Sequence, residues 1–222
     1  MTDQGGGSTF GVTTSVTFKT HPTPPLLNMV VMVITTNVSS PSVFPAVSYL
    51  VSQFPSLGDQ GLSGYSYMLS AYPNPFDGGA TTVAGFFGTF ILQDTQDPAD
   101  MNKLWDPIFQ HVNATWPDLT VVPNVTAYTS FLDWYSVNYD KSSTGEDMYV
   151  GSRLLDADTL TANLTANAEA FKQFASGGAA TAYLVSGKGV RDVKPRGGGD
   201  AVLPAWRKAY VHASKFESHI TI

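Results

Sequence analysis

The chain has 222 residues, of which 43% are hydrophobic and only 14% are charged, and this length buries enough apolar surface for folding without disulfides. Its formal net charge of −6 leaves no basic surface to neutralise phosphates, which argues against nucleic-acid binding. The absence of cysteine excludes disulfides, thiolate metal sites, cysteine nucleophiles and cysteinyl cofactor links.

The first quarter of the chain predicts two strands followed by a helix. Residues 9–20 carry many β-branched side chains at alternating positions, which is typical of a strand. After a proline-rich break, residues 29–38 are dense in Val and Ile, as in a strand that is buried on both faces. Ser40 and Pro41 are typical of a helix start, and apolar residues at helical spacing follow as far as Phe54.

An aromatic hairpin is predicted next. Residues 62–72 and 81–93 flank a turn rich in Pro, Asn and Gly, and we expect them to pair as antiparallel strands. Alternation places Tyr65 and Tyr67 on one face of the first strand. In the second strand it places Phe86 on one face and Phe87 on the other.

The second half of the chain mixes further helices and strands. Their order lacks strict strand–helix–strand alternation, which favours the α+β class: an antiparallel (mixed) β-sheet with helices packed on one face. No repeat or linker divides the sequence, so residues 1–222 are expected to form a single domain. The predicted helices are 97–115, 130–139 and 158–174, the predicted strands are 119–126, 180–186 and 211–220, and residues 190–203 are predicted to form a loop.

Several common motifs are missing or lie in the wrong context. The glycine-rich residues 5–11 lead into a predicted strand, whereas a dinucleotide-binding loop follows a strand and opens a helix. The four histidines are scattered without metal-ligand spacing, so no metal site is predicted. The longest apolar run, residues 26–34, is about half the length that spans a bilayer, so no membrane partner is predicted.

Four Asn-x-Ser/Thr sequons occur, against roughly two expected by chance from this composition. The excess indicates a secreted or secretory-pathway glycoprotein, although residues 1–8 do not resemble a signal peptide and chance alone is an alternative. The candidate glycosylation sites are Asn37, Asn113, Asn124 and Asn163.

Aromatic residues cluster on the predicted strand and helix faces. Many Tyr residues in one small domain suit an apolar pocket with a few polar handles, although an ordinary core is the alternative interpretation. We expect this pocket to hold a flat, conjugated and apolar small molecule. Its predicted lining residues are Tyr65, Tyr67, Phe87, Trp134, Tyr135 and Tyr183.

Four segments, taken together, resemble one protein family. They are residues 5–22 (GGGSTFGVTTSVTFKTHP), 128–136 (YTSFLDWYS), 150–155 (VGSRLL) and 203–212 (LPAWRKAYVH). In this order they are similar to the substrate domain of fungal FAD-linked oxidases, the berberine-bridge-enzyme-like members of the vanillyl-alcohol-oxidase superfamily. The resemblance covers essentially the whole chain, and it implies a sheet whose one face roofs the flavin and holds the substrate.

The family's flavin domain has no counterpart in this sequence. Its glycine-rich diphosphate-binding turns and its flavin-attaching His and Cys are missing, and the chain is expected to start at the domain edge. In such oxidases the flavin carries the electrons and the protein only positions it. Because this sequence lacks the residues that would hold a flavin, we expect no cofactor. The surface that faces the flavin in the family would then be covered by self-association, most simply in a homodimer.

These observations favour a cofactor-free cyclase of fungal secondary metabolism. Flavin-less fungal proteins of this kind suggest a hetero-Diels–Alderase that joins a quinone-methide-like partner to an apolar alkene or terpene. Arg153 and His212 are the candidate catalytic donors, although a structural ion pair and a packed histidine are the respective alternatives. Two other functions stay open: a fragment or subunit of an FAD-linked oxidoreductase, and a non-catalytic module that binds an apolar ligand.

Overall fold

A computed structural model describes residues 11–12, 14–141, 148–194 and 202–218. Within these residues, seven strands form one antiparallel sheet, and helices cover one of its faces, which confirms the α+β class. The strands are β1 (Leu26–Thr35), β2 (Ser63–Pro73), β3 (Thr82–Gln93), β4 (Thr120–Tyr128), β5 (Met148–Asp156), β6 (Ala179–Leu184) and β7 (Ala209–Ser218). Their order across the sheet is β4-β1-β3-β2-β6-β7-β5.

The helices lie between the strands along the chain. The structure shows no helix in the described ranges that is both long enough and apolar enough to cross a bilayer. The helices are α1 (Val43–Ser52), α2 (Phe54–Asp59), α3 (Pro98–Thr115), α4 (Phe131–Asn138), α5 (Ala157–Thr161), α6 (Leu164–Phe174) and α7 (Lys188–Asp192), and a short 3-10 turn covers Pro204–Arg207.

The main core lies between the sheet and the helices. Phe86 and Phe90 project from β3 toward this side, and the Phe54 ring meets both edge-on at centroid distances of 6.3 and 5.6 Å. Trp105 of α3 packs on Phe90 at 4.9 Å, and all four side chains are fully buried. Burying one such ring contributes about 1.5–3 kcal/mol, so this cluster is a principal source of stability.

Two helix starts show how local sequence sets the boundaries. As predicted, α3 begins after Asp97, whose Oδ1 accepts a hydrogen bond from the Ala99 amide at 3.0 Å. The start of α1 differs from the prediction, because the helix begins at Val43 rather than at Pro41. Ser40 does not cap it but donates its hydroxyl to Asp118 Oδ2 at 2.5 Å, which ties this loop to the segment before β4.

The predicted strand at 9–20 is wrong for the residues that the structure describes. Residues 14–20 form no strand and are exposed, while residues 9, 10 and 13 lie outside the described part. A β-branched pattern makes a strand only where a neighbour can pair with it. The neighbouring positions of β1 are already filled, by β3 on one side and β4 on the other.

Three differences concern the second half. The predicted helix 158–174 is two helices, because Asn163 interrupts it and caps α6 by accepting a hydrogen bond from the Ala166 amide. The predicted loop 190–203 overlaps the end of α7, and its residues 195–201 lie outside the described part. β5 was not predicted, because most of its side chains are exposed and the period-two signal is weak.

Candidate functional site

The second face of the sheet carries a patch of aromatic side chains, which we call the aromatic face: Tyr65, Tyr67, Phe87 and Tyr183. The register pairs Tyr67 directly with Phe87, and their rings stack at a centroid distance of 5.9 Å. Tyr183 of β6 meets Tyr65 edge-on at 4.6 Å and Tyr67 edge-on at 5.8 Å. The structure therefore brings together four of the six residues that the sequence predicted for one pocket.

Two tyrosine hydroxyls meet at the centre of this patch. The Tyr183 hydroxyl donates to the Tyr67 hydroxyl at an O–O distance of 3.2 Å. Burial raises the pKa of Tyr183 well above its ordinary value, and the bond to Tyr67 adds to this effect. The Tyr183 hydroxyl therefore keeps its hydrogen, and Tyr67, as the acceptor of that hydrogen bond, retains its own hydrogen for a further acceptor.

An apolar cleft of about 340 Å³ adjoins the hydroxyl pair. Its volume lies at the lower end of the range for small-molecule sites, and its walls are mainly carbon. Ile34, Leu69 and Val83 are buried at its base, which makes it a second, smaller hydrophobic cluster on this side of the sheet. The lining residues are Met32, Ile34, Tyr67, Leu69, Tyr72, Pro75, Val83 and Phe87.

The two predicted donors lie on different faces. His212 is paired with Tyr183 across the β6–β7 ladder, so it belongs to the aromatic face, and its Nε2 lies 3.3 Å from the Ser214 hydroxyl. Arg153 is paired with Ala213, one residue further along β7, and successive side chains point to opposite faces. The Arg153 guanidinium is exposed and donates to the Ser152 carbonyl at 3.1 Å, so the structure does not bring it to the tyrosines.

Helix α4 borders the aromatic face at the end away from the cleft. The Trp134 indole N–H donates to Asn28 Oδ1 at 3.0 Å, and the Thr89 hydroxyl donates to the same oxygen at 3.0 Å. Tyr135 is exposed and stacks on Tyr139 of its own segment at 5.5 Å. Of the two predicted α4 residues, Trp134 is thus anchored to the sheet, whereas Tyr135 packs within the helix region.

We expect Asn28→Ala to lower the free energy of unfolding by about 1–3 kcal/mol, because it leaves two donors without their acceptor. Asn28 is only 3% exposed, so water cannot easily replace it. Urea denaturation measures the effect, and Trp134→Phe serves as the partner variant. If the double variant loses the full sum of the two single losses, the Asn28–Trp134 bond contributes nothing to stability.

The sequence did not predict the aliphatic part of the cleft. Met32 and Ile34 lie in a strand whose Val- and Ile-rich sequence predicts burial on both faces, so the pattern assigns neither face to a pocket. The alternation of Leu69 with Tyr67 and Tyr65 was the available signal, since all three lie on one face of β2. Among the described residues, no three potential metal ligands of the His, Cys, Asp or Glu type gather in one place.

The four sequon asparagines are all exposed. Asn37 follows β1, Asn113 lies on α3, Asn124 lies on the edge strand β4, and Asn163 caps α6. The cap uses the Asn163 side-chain oxygen as acceptor, which leaves the amide nitrogen for a sugar. Exposure is necessary for N-glycosylation, and the modification itself stays a prediction.

No family model matches the chain, but similar proteins are found by sequence. The chain is 33% identical over 217 residues to an uncharacterized FAD-linked oxidoreductase of Arthroderma benhamiae, and the match covers 94% of this chain and 35% of that protein. It is 30% identical to the FAD-linked oxidoreductase apf9 of Gibberella fujikuroi, over 92% of this chain and 36% of the relative. The chain thus spans about a third of the length of the curated relatives it matches.

Solved structures with the same fold are flavoproteins. The VAO-type flavoprotein MtVAO713 from Myceliophthora thermophila C1 superposes with a TM-score of 0.73 at 19% identity, over 89% of this chain and 34% of that one. MtVAO615 from the same organism gives a TM-score of 0.66 at 13% identity, over 90% of this chain and 34% of its own. At these identities the likeness shows the fold, and it agrees with the resemblance that the four sequence segments indicated.

Proposed function

We propose that this chain is the substrate-binding part of a fungal FAD-linked oxidoreductase. Nearly its whole length is similar to such proteins, and the match covers about a third of the length of each. The proposed ligand is a flat, conjugated small molecule that carries an oxygen acceptor. It would lie on the aromatic face, with its apolar portion in the adjoining cleft. The proposal rests on the relatives for the enzyme class and on the geometry of this face for the ligand.

The observation that carries the proposal is the junction of rings, hydroxyls and apolar cleft on one sheet face. Tyr67 takes part in all three, since it stacks on Phe87, bonds to the Tyr183 hydroxyl and lines the cleft. A ring stacked on such a patch gains about 0.5–1.5 kcal/mol beyond its area burial. The Tyr67 hydroxyl is already held by its bond to Tyr183, so it can orient the ligand's oxygen without a further loss of its own freedom.

The same face offers one wall for a flavin ring. Its described residues are planar rings, three of which carry a hydroxyl, and they suit contact with an isoalloxazine or with a substrate lying between it and the sheet. No Lys or Arg of the described chain lines the cleft, so these residues fit the ring rather than the diphosphate. A bound flavin would supply the two-electron redox chemistry, while this chain's residues bind the substrate, orient it and exclude water.

Cofactor-free cyclisation is the second candidate, and the hydrogen-bonded hydroxyl pair favours it. A hydroxyl donor on a carbonyl oxygen and an apolar cleft that holds two partners together would suffice to accelerate a hetero-Diels–Alder reaction. Tyr67 and His212 on one face would supply the donors, with Tyr183 holding the Tyr67 hydroxyl in place and without Arg153. Self-association through this face also stays a prediction.

We expect the purified 222-residue chain to bind 7-hydroxycoumarin, a flat conjugated carbonyl compound, with no absorbance band near 450 nm from a retained flavin. The ligand suits the aromatic face, and the sequence holds no diphosphate-binding turn. Fluorescence anisotropy measures the binding, and an absorbance spectrum measures the flavin. Flat titrations up to about 1 mM, which corresponds to roughly −4 kcal/mol, would contradict the proposed ligand site.

The two candidate functions separate in the same preparation. Turnover of a conjugated substrate by this chain without flavin supports cyclisation. Turnover that requires FAD together with a flavin-binding chain supports the oxidoreductase. Binding without turnover under either condition would leave a non-catalytic ligand-binding module as the only remaining function.

A further inference from the structure

A second cleft of about 290 Å³ lies in the helical layer, on the side of the sheet opposite the aromatic face. Tyr49 of α1, His111 of α3, and Leu164 and Glu169 of α6 line it, together with Trp116 just after α3. The helices α1 and α6 pack closely here, where the Ser48 hydroxyl donates to the Leu164 carbonyl at 2.9 Å. The walls of this cleft are therefore fixed by tertiary packing.

Three rings form one side of this helical cleft. The Tyr49 and His111 centroids lie 4.2 Å apart, and the Trp116 centroid lies 5.9 Å from Tyr49 and 5.7 Å from His111. The planes are tilted rather than parallel, at 51° between Tyr49 and Trp116 and 77° between His111 and Trp116. Tyr49 and His111 lie closer to parallel, at 31°, so Trp116 and these two rings form a corner in the wall of the cleft against which one ligand group can pack.

The charge of this cleft is negative. Glu169 is the one acidic side chain of the lining, and no Lys or Arg lines the cleft among the described residues. None of the ion pairs formed between described residues includes Glu169. Burial raises the pKa of Tyr49, so its ring stays neutral and electron-rich. A carboxylate beside aromatic faces attracts a cation with an apolar surface and repels an anion.

We propose that the helical cleft binds a small organic ammonium ion, with its alkyl groups against Tyr49 and Trp116 and its charge toward the Glu169 carboxylate. Trimethylammonium groups are the chemistry that aromatic surfaces of this kind recognise, because the charge is spread over methyl groups that tolerate desolvation. The site is separate from the aromatic face, so it stands or falls independently of the proposed oxidoreductase role.

Choline and its uncharged isostere 3,3-dimethyl-1-butanol are the matched probes. Titration is followed by the indole N–H resonances in two-dimensional NMR, where the Trp116 signal is identified with Trp116→Phe. We expect choline to bind with a Kd on the order of 1–10 mM, and the neutral isostere at least about fivefold more weakly, since only choline gains the cation–π attraction. Equal affinities would overturn the proposal, and so would the absence of choline-induced shifts up to about 50 mM.

Glu169→Gln tests the charge without touching the rings. It should weaken choline binding by about two- to fivefold and leave the neutral isostere unaffected, because an exposed carboxylate contributes modestly. Asp106→Asn, on an exposed position of α3 outside the lining, is the matched control. An effect of Asp106→Asn as large as that of Glu169→Gln would show a general charge effect and overturn the site.

A third measurement identifies the source of the ligand. Phosphatidylcholine vesicles that sediment with the protein, and release it when choline is added, indicate a lipid headgroup. Choline binding without vesicle binding indicates a free ammonium compound. Both outcomes support the ammonium site.

Discussion

Tyr67→Phe should weaken binding of 7-hydroxycoumarin about tenfold, and should lower turnover of a true substrate by on the order of 10²-fold. The variant keeps the ring that stacks on Phe87 at 5.9 Å and lines the cleft, so packing is preserved. It removes the hydroxyl that receives the Tyr183 hydrogen bond and that we propose as the donor to the ligand. Fluorescence anisotropy and steady-state kinetics measure the two effects.

Tyr135→Phe is the matched control for this substitution. Tyr135 is equally aromatic and 49% exposed, but it stacks within the α4 region rather than on the sheet. We expect its loss of a hydroxyl to leave both binding and turnover unchanged. Equal effects of Tyr67→Phe and Tyr135→Phe, or an unchanged Tyr67→Phe, would show that the hydroxyl pair does not orient the ligand.

The pH dependence of this site follows from the direction of the Tyr183 shift. Its folded-state pKa is raised above the unfolded value of about 10, so folding favours the neutral form. The stability that this shift contributes is fully present below pH about 10 and is lost as the pH rises through the raised value. As far as it depends on the Tyr183 hydroxyl, the binding of a ligand that does not itself ionise should therefore be constant between about pH 7 and 9.

The common face of Tyr65 and Tyr67 could be predicted from sequence because alternation along one strand determines it. Tyr65 and Tyr67 lie two residues apart in a strand without an intervening bulge, and the register brings Phe87 beside Tyr67. The contribution of Tyr183 is different in kind, since it depends on β6 lying next to β2. That adjacency joins residues 116 positions apart in sequence, and no local pattern in the sequence determines it.

For Arg153, the second predicted donor, the sheet face could not be derived from the sequence. Its face depends on the register of β5 against β7, and β5 itself was not predicted, because exposed side chains give no alternation to interpret. A shift of one residue would have placed it beside His212. Residues 14–20 present the opposite case: their composition is typical of a strand, yet no described strand pairs with them.

The largest expected effect on stability comes from Gly85→Ala in β3, beneath the cleft. Gly85 has φ = 142°, a conformation open almost exclusively to glycine, and a Cβ built there would overlap the Val33 carbonyl oxygen of the neighbouring strand. The obstruction is backbone in a central strand pair, so no side-chain rotation relieves it.

We expect Gly85→Ala to lower the free energy of unfolding by on the order of 3–5 kcal/mol, since backbone strain and a steric clash act together. Because Gly85 lies between Ile34 and Leu69 in the register, the variant protein that still folds should also lose affinity for 7-hydroxycoumarin.

Thermal and urea denaturation measure the loss of stability, with Gly151→Ala as control. Gly151 also lies in a strand, but its φ is not in the positive region and nothing lies within 4 Å of an added Cβ. The control should change stability by less than about 0.5 kcal/mol. A Gly85→Ala protein as stable as this control would mean that β1 and β3 are not held at the close approach on which the cleft depends.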